Sequence, residues 1–220
     1  MKTVKNLLLL GTFVLLLTGC GKQKIDQKTD HNLNDNYKKM NVGNNGINGY
    51  TLDLRIYGSY NNKRIYDIVR IQNYKNKTYE IVVSRNTSIE TTKIQEEVYR
   101  IKNHKIYSIQ GNKEMEFTGD INYKNPNVYL EGLNNIVKKD PPKTEKIDGK
   151  KYTVYSVTFQ KNIINKLLKD TSLLDLTVDK NIDGKIYLDS EGYVYKIIYQ
   201  IDEITIAANY FGINQARELS

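Results

Sequence analysis

The chain contains a single cysteine, Cys20, and its position indicates a use for its thiol. Cys20 follows an apolar run, residues 7–17, and two small residues, 18–19; Lys2 and Lys5 precede the run. A basic start, a short apolar segment and a small-residue exit are the pattern of a secretory leader. The run is too short to cross a bilayer, which takes about 20 apolar residues. A leftover cysteine in a secreted chain requires a role of its own.

The stretch Leu17-Thr18-Gly19-Cys20 resembles the lipobox of bacterial lipoproteins. In that family the cysteine thiol receives a diacylglyceryl group, the signal peptidase cuts before the cysteine, and the new N-terminus is often acylated as well, for example with palmitate. The resemblance implies that residues 1–19 are a lipoprotein signal peptide. It also implies that lipidated Cys20 holds the protein at the cell membrane, facing outside the cytoplasm, with a Gram-positive exterior favoured. The alternative is an ordinary secreted protein with a chance cysteine.

A second pattern concerns metal binding. Asp179, Asn181, Asp183 and Gly184 stand at positions 1, 3, 5 and 6 of a calcium loop. Position 12, which should be a bidentate glutamate, is Ser190, and a strand rather than a helix is expected to follow. Because Asp and Gly also favour simple turns, we interpret the stretch as a turn and expect no cofactor. The alternative is a calcium-dependent adhesion or signalling module, in which Asp179, Asn181 and Asp183 would converge on one point.

The remaining residues argue against catalysis and against nucleic-acid binding. The two histidines, His31 and His104, fall in a polar segment and in an expected hairpin turn, and no Gly-rich phosphate loop or nucleophile elbow is present. Removal of residues 1–19 takes away two lysines and no acid, so the net charge falls from +8 to +6. The basic residues are scattered among acidic ones, whereas a nucleic-acid site needs a basic stripe. We therefore expect neither an enzyme nor a nucleic-acid partner.

Composition divides the chain into three parts. After the leader, residues 20–48 are polar and rich in Asn, Lys and Gly, which predicts a flexible tether with at most a short helical turn at 37–42. Residues 49–220 have the size of one domain. Alternating apolar and polar residues predict strands at the positions that follow: 50–56, 65–71, 78–84, 97–102, 105–110, 114–118, 152–159, 184–188, 193–201 and 204–211.

Two helices are predicted between these strands. Asn125 and Pro126 suit a helix start, and apolar residues at helical spacing continue to Val137, followed by Lys138 and Lys139. A second amphipathic helix is predicted from residue 163 to 168, with a continuation toward 176. Short connections between the strands require antiparallel neighbours. The expected fold class is therefore α+β, with a curved antiparallel sheet and two or three inserted helices.

This order of elements, with the closing run "KIYLDSEGYVYKIIYQIDEITIAANYFGIN", resembles the LolA-like superfamily, which includes the LppX-like lipid-binding lipoproteins. That resemblance implies an incomplete barrel whose curved sheet wraps around helices and leaves an apolar cavity for acyl chains. Those proteins usually open with an amphipathic helix, for which residues 22–49 offer a poor candidate.

We expect a non-catalytic protein whose half-barrel binds a lipid or another apolar ligand. Tyrosine suits the wall of such a cavity, because its ring is apolar and its hydroxyl reaches a polar group. The candidate ligand-binding residues are on the closing strands: Tyr193, Tyr195, Ile197, Tyr199, Ile206 and Tyr210. The alternative is an interaction or sensor lipoprotein with a filled core and an envelope protein as its partner.

Overall fold

In the strand Gly49–Tyr60 (β1), the apolar residues of the alternating sequence pattern form part of the core. Its side chains alternate between the two faces of the sheet, and Tyr50, Leu52, Leu54 and Ile56 are all fully buried. Burial of each such side chain stabilises the fold by about 1.5–3 kcal/mol relative to exposure. The buried side of the sheet is called the core face below, and the opposite side the outer face.

The structure is a computed structural model, and it describes residues 33–42, 46–61, 63–75, 78–85, 95–102, 105–173 and 175–215. These residues belong to one unit of the chain, Asn32–Ser220. They form strands, α-helices and two short 3-10 helices. In chain order, the elements are α1 (Leu33–Met40), β1 (Gly49–Tyr60), β2 (Lys63–Tyr74), β3 (Thr78–Arg85), β4 (Gln95–Lys102), β5 (Lys105–Gln110), β6 (Lys113–Phe117), the 3-10 helices Pro126–Tyr129 and Glu131–Asn134, β7 (Ile136–Lys139), β8 (Lys143–Ile147), β9 (Lys150–Phe159), α2 (Lys161–Leu168), β10 (Ile182–Leu188), β11 (Val194–Ile201) and β12 (Ile204–Phe211).

Within the described residues, twelve strands make one open antiparallel sheet. The order across it is β6-β5-β4-β3-β2-β1-β12-β11-β10-β9, and both β7 and β8 pair with the far edge of β9. The last strand therefore pairs with the first, through the register Leu54 to Ala208. The expected α+β class, with a large antiparallel sheet that does not close, is confirmed.

A helical layer covers the core face over the second half of the chain. The apolar side of α2 is fully buried there, and the 3-10 helices lie beside it, with Val128, Tyr129 and Leu133 in the same core. Gly132 lies close to Phe159 and the Tyr199 hydroxyl, where a larger residue would not fit. Neither helix in the described part of the chain is both long and apolar enough to span a membrane.

The helix α1 lies inside the stretch for which the sequence predicts a tether. Leu33 and Met40 are buried in the main core. The Asn36 side-chain amide donates to the carbonyl of Gly192 at 2.7 Å, and the Lys39 ammonium lies 3.9 Å from the centre of the Tyr193 ring. These contacts attach α1 to the turn between β10 and β11. The described fold therefore begins by residue 33, before the boundary at residue 49 that composition suggests.

The helix predicted from residue 125 onward is wrong over most of its length. The first half forms the two 3-10 helices, and residues 136–139 form strand β7 instead of a last helical turn. β7 pairs with the end of β9, where Ile136 is opposite Phe159. Pairing with an otherwise open strand edge thus outweighs the helical spacing of Ile136 and Val137.

Candidate functional site

The core face changes character between β3 and β4. Ile81 on β3 is fully buried, but the apolar side chains beyond it are only half-buried at the border of the core. They lie in two adjacent cross-strand rows, one through Ile101, Ile106 and Phe117 and one through Tyr99, Ser108 and Met115. We call the apolar members the open wall; they are Tyr99, Ile101, Ile106, Met115 and Phe117.

The open wall is apolar up to its border on β4, where the Tyr99 hydroxyl donates to Glu97 on the same face at 3.1 Å. The rings of Tyr99 and Phe117 are 5.3 Å apart, and Met115 is 45 % exposed. The outer face of the same strands carries ion pairs, such as Arg100 with Glu80 at 3.2 Å and Lys105 with Glu116 at 3.0 Å. A contiguous exposed apolar surface is typical of a binding site, whereas single exposed apolar residues are common and need no explanation. The open wall is therefore the first part of the candidate site.

The second part is a pair of buried polar side chains further along the core face. The side-chain nitrogen and oxygen of Asn73 have no hydrogen-bond partner among the residues that the structure describes. The same is true of the Tyr210 hydroxyl. Both side chains flank Tyr50, since Asn73 is opposite Tyr50 in the register and the Tyr210 ring lies 5.4 Å from the Tyr50 ring. Unpaired buried polar groups are rare in native proteins, where such groups bond to the protein or to ordered water, so this pair is a departure from the rest of the core.

A buried carboxylate occupies the opposite end of β2. Asp67 is 5 % exposed, and its Oδ2 accepts hydrogen bonds from the Tyr123 hydroxyl at 2.8 Å and from the Ser172 hydroxyl. These contacts connect the sheet to the loops before the 3-10 helices and after α2. Burial and the nearby Asp67 charge raise the pKa of the Tyr123 hydroxyl, which therefore stays protonated as a donor. The network is satisfied and has a structural role.

Asp170 extends this network and gives the fold a pH dependence. Its carboxylate accepts hydrogen bonds from the Asn125 backbone N–H and the Tyr129 hydroxyl, each at 3.2 Å. Burial nevertheless raises the pKa of Asp170 from 3.8 to about 6. Because the folded pKa lies above the unfolded one, the native state holds the extra proton between these values, and stability decreases as the pH rises through about 4–6.

We expect Asp170→Asn to remove this dependence. The amide stays neutral, so at pH 7.5 the variant should unfold at a higher urea concentration than the wild type. Its free energy of unfolding should be about 1–3 kcal/mol larger at pH 7.5 and nearly the same at pH 4. Urea titrations at both values measure the change. Asp175→Asn, at an exposed position, is the control and should follow the wild type at both values. An equal effect of Asp170→Asn at pH 4 and 7.5 would contradict the prediction.

Most of the tyrosines and isoleucines predicted to bind a ligand are core residues. Ile197, Tyr199 and Ile206 are fully buried against the helical layer. The Tyr199 hydroxyl donates to the Tyr129 carbonyl at 2.7 Å, so it has no capacity to donate to a ligand. Tyr193 is half-buried beneath Lys39. Of the six residues, Tyr210 is the one that belongs to the candidate site as built from the described geometry.

Tyr195, another of the six candidates, does not lie on the same face of the sheet as Tyr199. The register between β10 and β11 shifts, so that Tyr187 is opposite Lys196 but Leu188 is opposite Val194. This bulge moves Tyr195 to the outer face, where its ring stacks on Tyr152 at 4.3 Å. An inserted residue reverses the alternation of every side chain beyond it, and a period of two in the sequence does not record the insertion.

The three residues of the calcium pattern contact different parts of the protein. The Asn181 side-chain carbonyl accepts from the first N–H of α2, and Asp183 accepts from the Thr158 hydroxyl at 2.8 Å. Asp179 accepts through its backbone from the Lys161 ammonium. No cluster of three His, Cys, Asp or Glu residues suited to a metal ion occurs in the part of the chain that is described. Asp179 and Asn181 precede β10, whereas Asp183 and Gly184 lie within it, so the turn interpretation does not hold for the second half of the pattern.

Four sequence predictions fall on residues that the structure does not describe. Cys20 with the leader, the tether over residues 20–32 and 43–45, His31, and His104 all lie outside the described ranges. Their roles remain predictions from sequence.

The outer face carries a separate groove of about 530 Å³. Tyr57, Tyr187 and Ile198 line its walls, and Asp183 and Lys185 contribute charges. Next to it, Tyr57 is opposite Tyr66, and each is 43 % exposed. Its mixed polar and aromatic lining differs from the apolar surface of the open wall.

Comparison with known proteins indicates the fold. No protein-family model and no curated protein matches the sequence. The structure is similar to that of the lipoprotein LppX from Mycobacterium tuberculosis, with a TM-score of 0.56, 13 % identity and coverage of 87 % of this chain and 100 % of that one. It is also similar to LprF from Mycobacterium bovis, with a TM-score of 0.58, 10 % identity and coverage of 86 % and 94 %. At these identities the likeness concerns the fold, and it agrees with the expected LppX-like architecture.

Proposed function

We propose that this protein is a lipid-anchored, extracytoplasmic lipoprotein that binds the acyl chain of a lipid on the open wall without catalysing a reaction. The observation that carries the proposal is the wall itself, five half-exposed or exposed apolar side chains that continue the core across three strands. Burial of a chain there would remove apolar surface from water at about 25 cal/mol per Å². The fold shared with LppX and LprF supports the same function, as does the lipobox-like sequence that ends at Cys20.

The strands of the open wall offer a matched pair of variants. Ile106 lies on the core face of β5, and Ile109, three residues later, lies on the outer face opposite Val98. Both are half-buried in the same strand. A carboxylate at either position disturbs the strand to a similar degree, but only Ile106→Asp places a charge where the acyl chain would lie.

The expected result is about tenfold weaker binding of a fluorescent fatty acid by Ile106→Asp, because a carboxylate against hydrocarbon is desolvated without a partner. Ile109→Asp should bind as the wild type does. The measurement is a fluorescence titration of residues 21–220, together with native mass spectrometry for co-purified lipid. No uptake by the wild type and no lipid adduct, or equal affinity of the two variants, would contradict lipid binding on the open wall.

The outer groove favours a second candidate function, a protein-interaction or sensor module. Exposed aromatic rings such as Tyr57 and Tyr66, next to a groove with mixed charges, resemble the centre of a protein interface. In that case the second half of the sheet would act as a filled scaffold. A partner captured by the wild type and lost in Tyr57→Ser, with no lipid bound, would favour this function.

A further inference from the structure

The edge of the sheet formed by β7, β8 and the start of β9 is rich in lysine. β7 and β8 lie one after the other along the same side of β9. Between residues 138 and 151 the chain has three acidic residues and six lysines. We call the six lysines, all of them exposed, the lysine edge; they are Lys138, Lys139, Lys143, Lys146, Lys150 and Lys151.

Two of the three acidic residues already have partners. Asp140 pairs with Lys138 at 3.6 Å, and Glu145 pairs with Lys185 of β10 at 3.8 Å. Lys146 on β8 is directly opposite Lys151 on β9, and neither has an ion-pair partner among the residues that the structure describes. Like charges directly opposite each other in a sheet are destabilising. An anion that contacted both lysines would remove this repulsion.

The opposite edge of the sheet has balanced charges. Lys102 is 3.4 Å from Glu114, and Lys105 is 3.0 Å from Glu116. Charged side chains in general protect an edge strand from pairing with another chain, so protection alone does not account for an excess of one sign. The excess of lysine beside β9 therefore indicates an anionic partner.

A shallow depression of about 380 Å³ connects the lysine edge to the first residues of α1. Leu33, Val137 and Lys139 are among the residues that line it. Leu33 begins the described fold, so the chain that comes from Cys20 enters beside this edge. Val137 is 50 % exposed and is followed directly by two lysines. Exposed apolar residues among lysines are typical of surfaces that lie on a membrane, where the cations contact anionic headgroups.

We propose that the lysine edge docks on a bilayer that carries anionic phospholipid headgroups, with Lys146 and Lys151 against lipid phosphate groups and Val137 in the headgroup layer. This inference rests on the proposed function, since the bilayer is the one to which Cys20 would anchor the chain. It goes further, because it assigns the side of the domain that faces that bilayer.

The test is co-sedimentation of residues 21–220, which lack Cys20, with vesicles of equal parts phosphatidylglycerol and phosphatidylcholine. The wild type is expected to bind these vesicles and not vesicles of phosphatidylcholine alone. Binding should weaken as salt is added, because salt screens surface charges. Each lysine close to an anionic bilayer tightens binding by about fivefold, so Lys146→Glu combined with Lys151→Glu should weaken it by at least about tenfold.

Arg64→Glu combined with Lys113→Glu is the matched control. Both residues are exposed, and they lie on β2 and β6, far from β9 in the order of the sheet. This double variant changes the net charge by the same amount. It should bind within about threefold of the wild type, because charges more than about 10 Å from the bilayer are largely screened at 0.1 M salt.

Lys146→Glu alone separates binding from folding. It places a carboxylate opposite Lys151 and replaces repulsion with attraction, so the melting temperature should equal or exceed that of the wild type. Vesicle binding by the same variant should be about fivefold weaker.

A soluble polyanion is the alternative partner, and polyphosphate at equal phosphate concentration is its probe. Val137→Ser should weaken vesicle binding by about threefold, because less apolar surface leaves water in the headgroup layer. The same change should leave polyphosphate binding unaltered. Equal responses of the two ligands to Val137→Ser would overturn the membrane as the partner of this edge.

The outcomes separate this inference from the proposed function. Failure of the wild type to bind anionic vesicles, or equal weakening by the two double variants, would overturn docking through the lysine edge. Acyl-chain binding is tested independently by the fatty acid titration with Ile106→Asp. Because docking is lost at high salt, fractionation of cells in a high-salt buffer reports the anchor at Cys20 alone.

Discussion

Replacement of Cys20 by Ser is expected to move the protein almost completely from the membrane fraction to the soluble fraction. Two or three acyl chains hold a protein stably on a bilayer, whereas one chain gives only marginal, reversible binding. A protein that carries no acyl chain lacks this anchor. A serine hydroxyl does not receive the diacylglyceryl group that the lipobox-like sequence implies for the cysteine. The measurement is fractionation of cells that express the full chain, with incorporation of radiolabelled palmitate as a second reading.

A variant near the cysteine separates lipidation from other effects of the change. Lys24→Ser introduces a serine four residues later and leaves the stretch from Leu17 to Cys20 intact, so it should remain membrane-bound and labelled. If the Cys20→Ser protein still sedimented with membranes and still incorporated palmitate, the lipid anchor and the extracytoplasmic location derived from it would both be wrong.

The second large effect is expected from Gly184→Val on β10. A Cβ atom at this position would lie 2.1 Å from the backbone carbonyl oxygen of Ile198 and 2.6 Å from the Phe159 ring. The neighbouring strand cannot move without breaking its pairing, and the Phe159 ring is held against Tyr199 at 4.6 Å. We expect the free energy of unfolding to fall by about 3 kcal/mol, the upper end of the usual cost of overpacking and a large part of the 5–15 kcal/mol typical of a domain.

Urea unfolding followed by circular dichroism measures this loss. Gly149→Ala in the turn between β8 and β9 is the control, because its Cβ would meet no atom within 4 Å and only its positive φ of +78° opposes the change. That conformation costs an alanine about 1–2 kcal/mol. Equal urea midpoints for the two variants would mean that the contacts of Gly184 with β11 and Phe159 do not limit the size of this residue.

Strands with strict alternation and short turns could be predicted from the sequence, because both signals are local. The residues 50–56 and 204–211 are examples, and both are strands with the expected buried side. The elements that differ depend on contacts distant in sequence. The helix α1 is stabilised by the turn at Gly192, and residues 136–139 are a strand because the edge of β9 is available to them.

The candidate site was predicted only in part, for the same reason. The order of elements indicated a wide open sheet, but where the helical layer ends over that sheet is a property of the whole fold. Asn73 did leave a local signal, since it continues the alternation of Val69 and Ile71 with a polar residue at a buried position. Whether such a residue has a partner is decided by other segments, so the sequence alone did not separate it from an ordinary strand residue.

The position of α1 bears on the proposed anchor at Cys20. The described fold begins at Leu33, thirteen residues after Cys20, so the chain between the two residues can span at most about 45 Å. An anchor at Cys20, as proposed, would therefore hold Leu33 within that distance of the bilayer, and a lipid bound by the protein would be exchanged close to that surface.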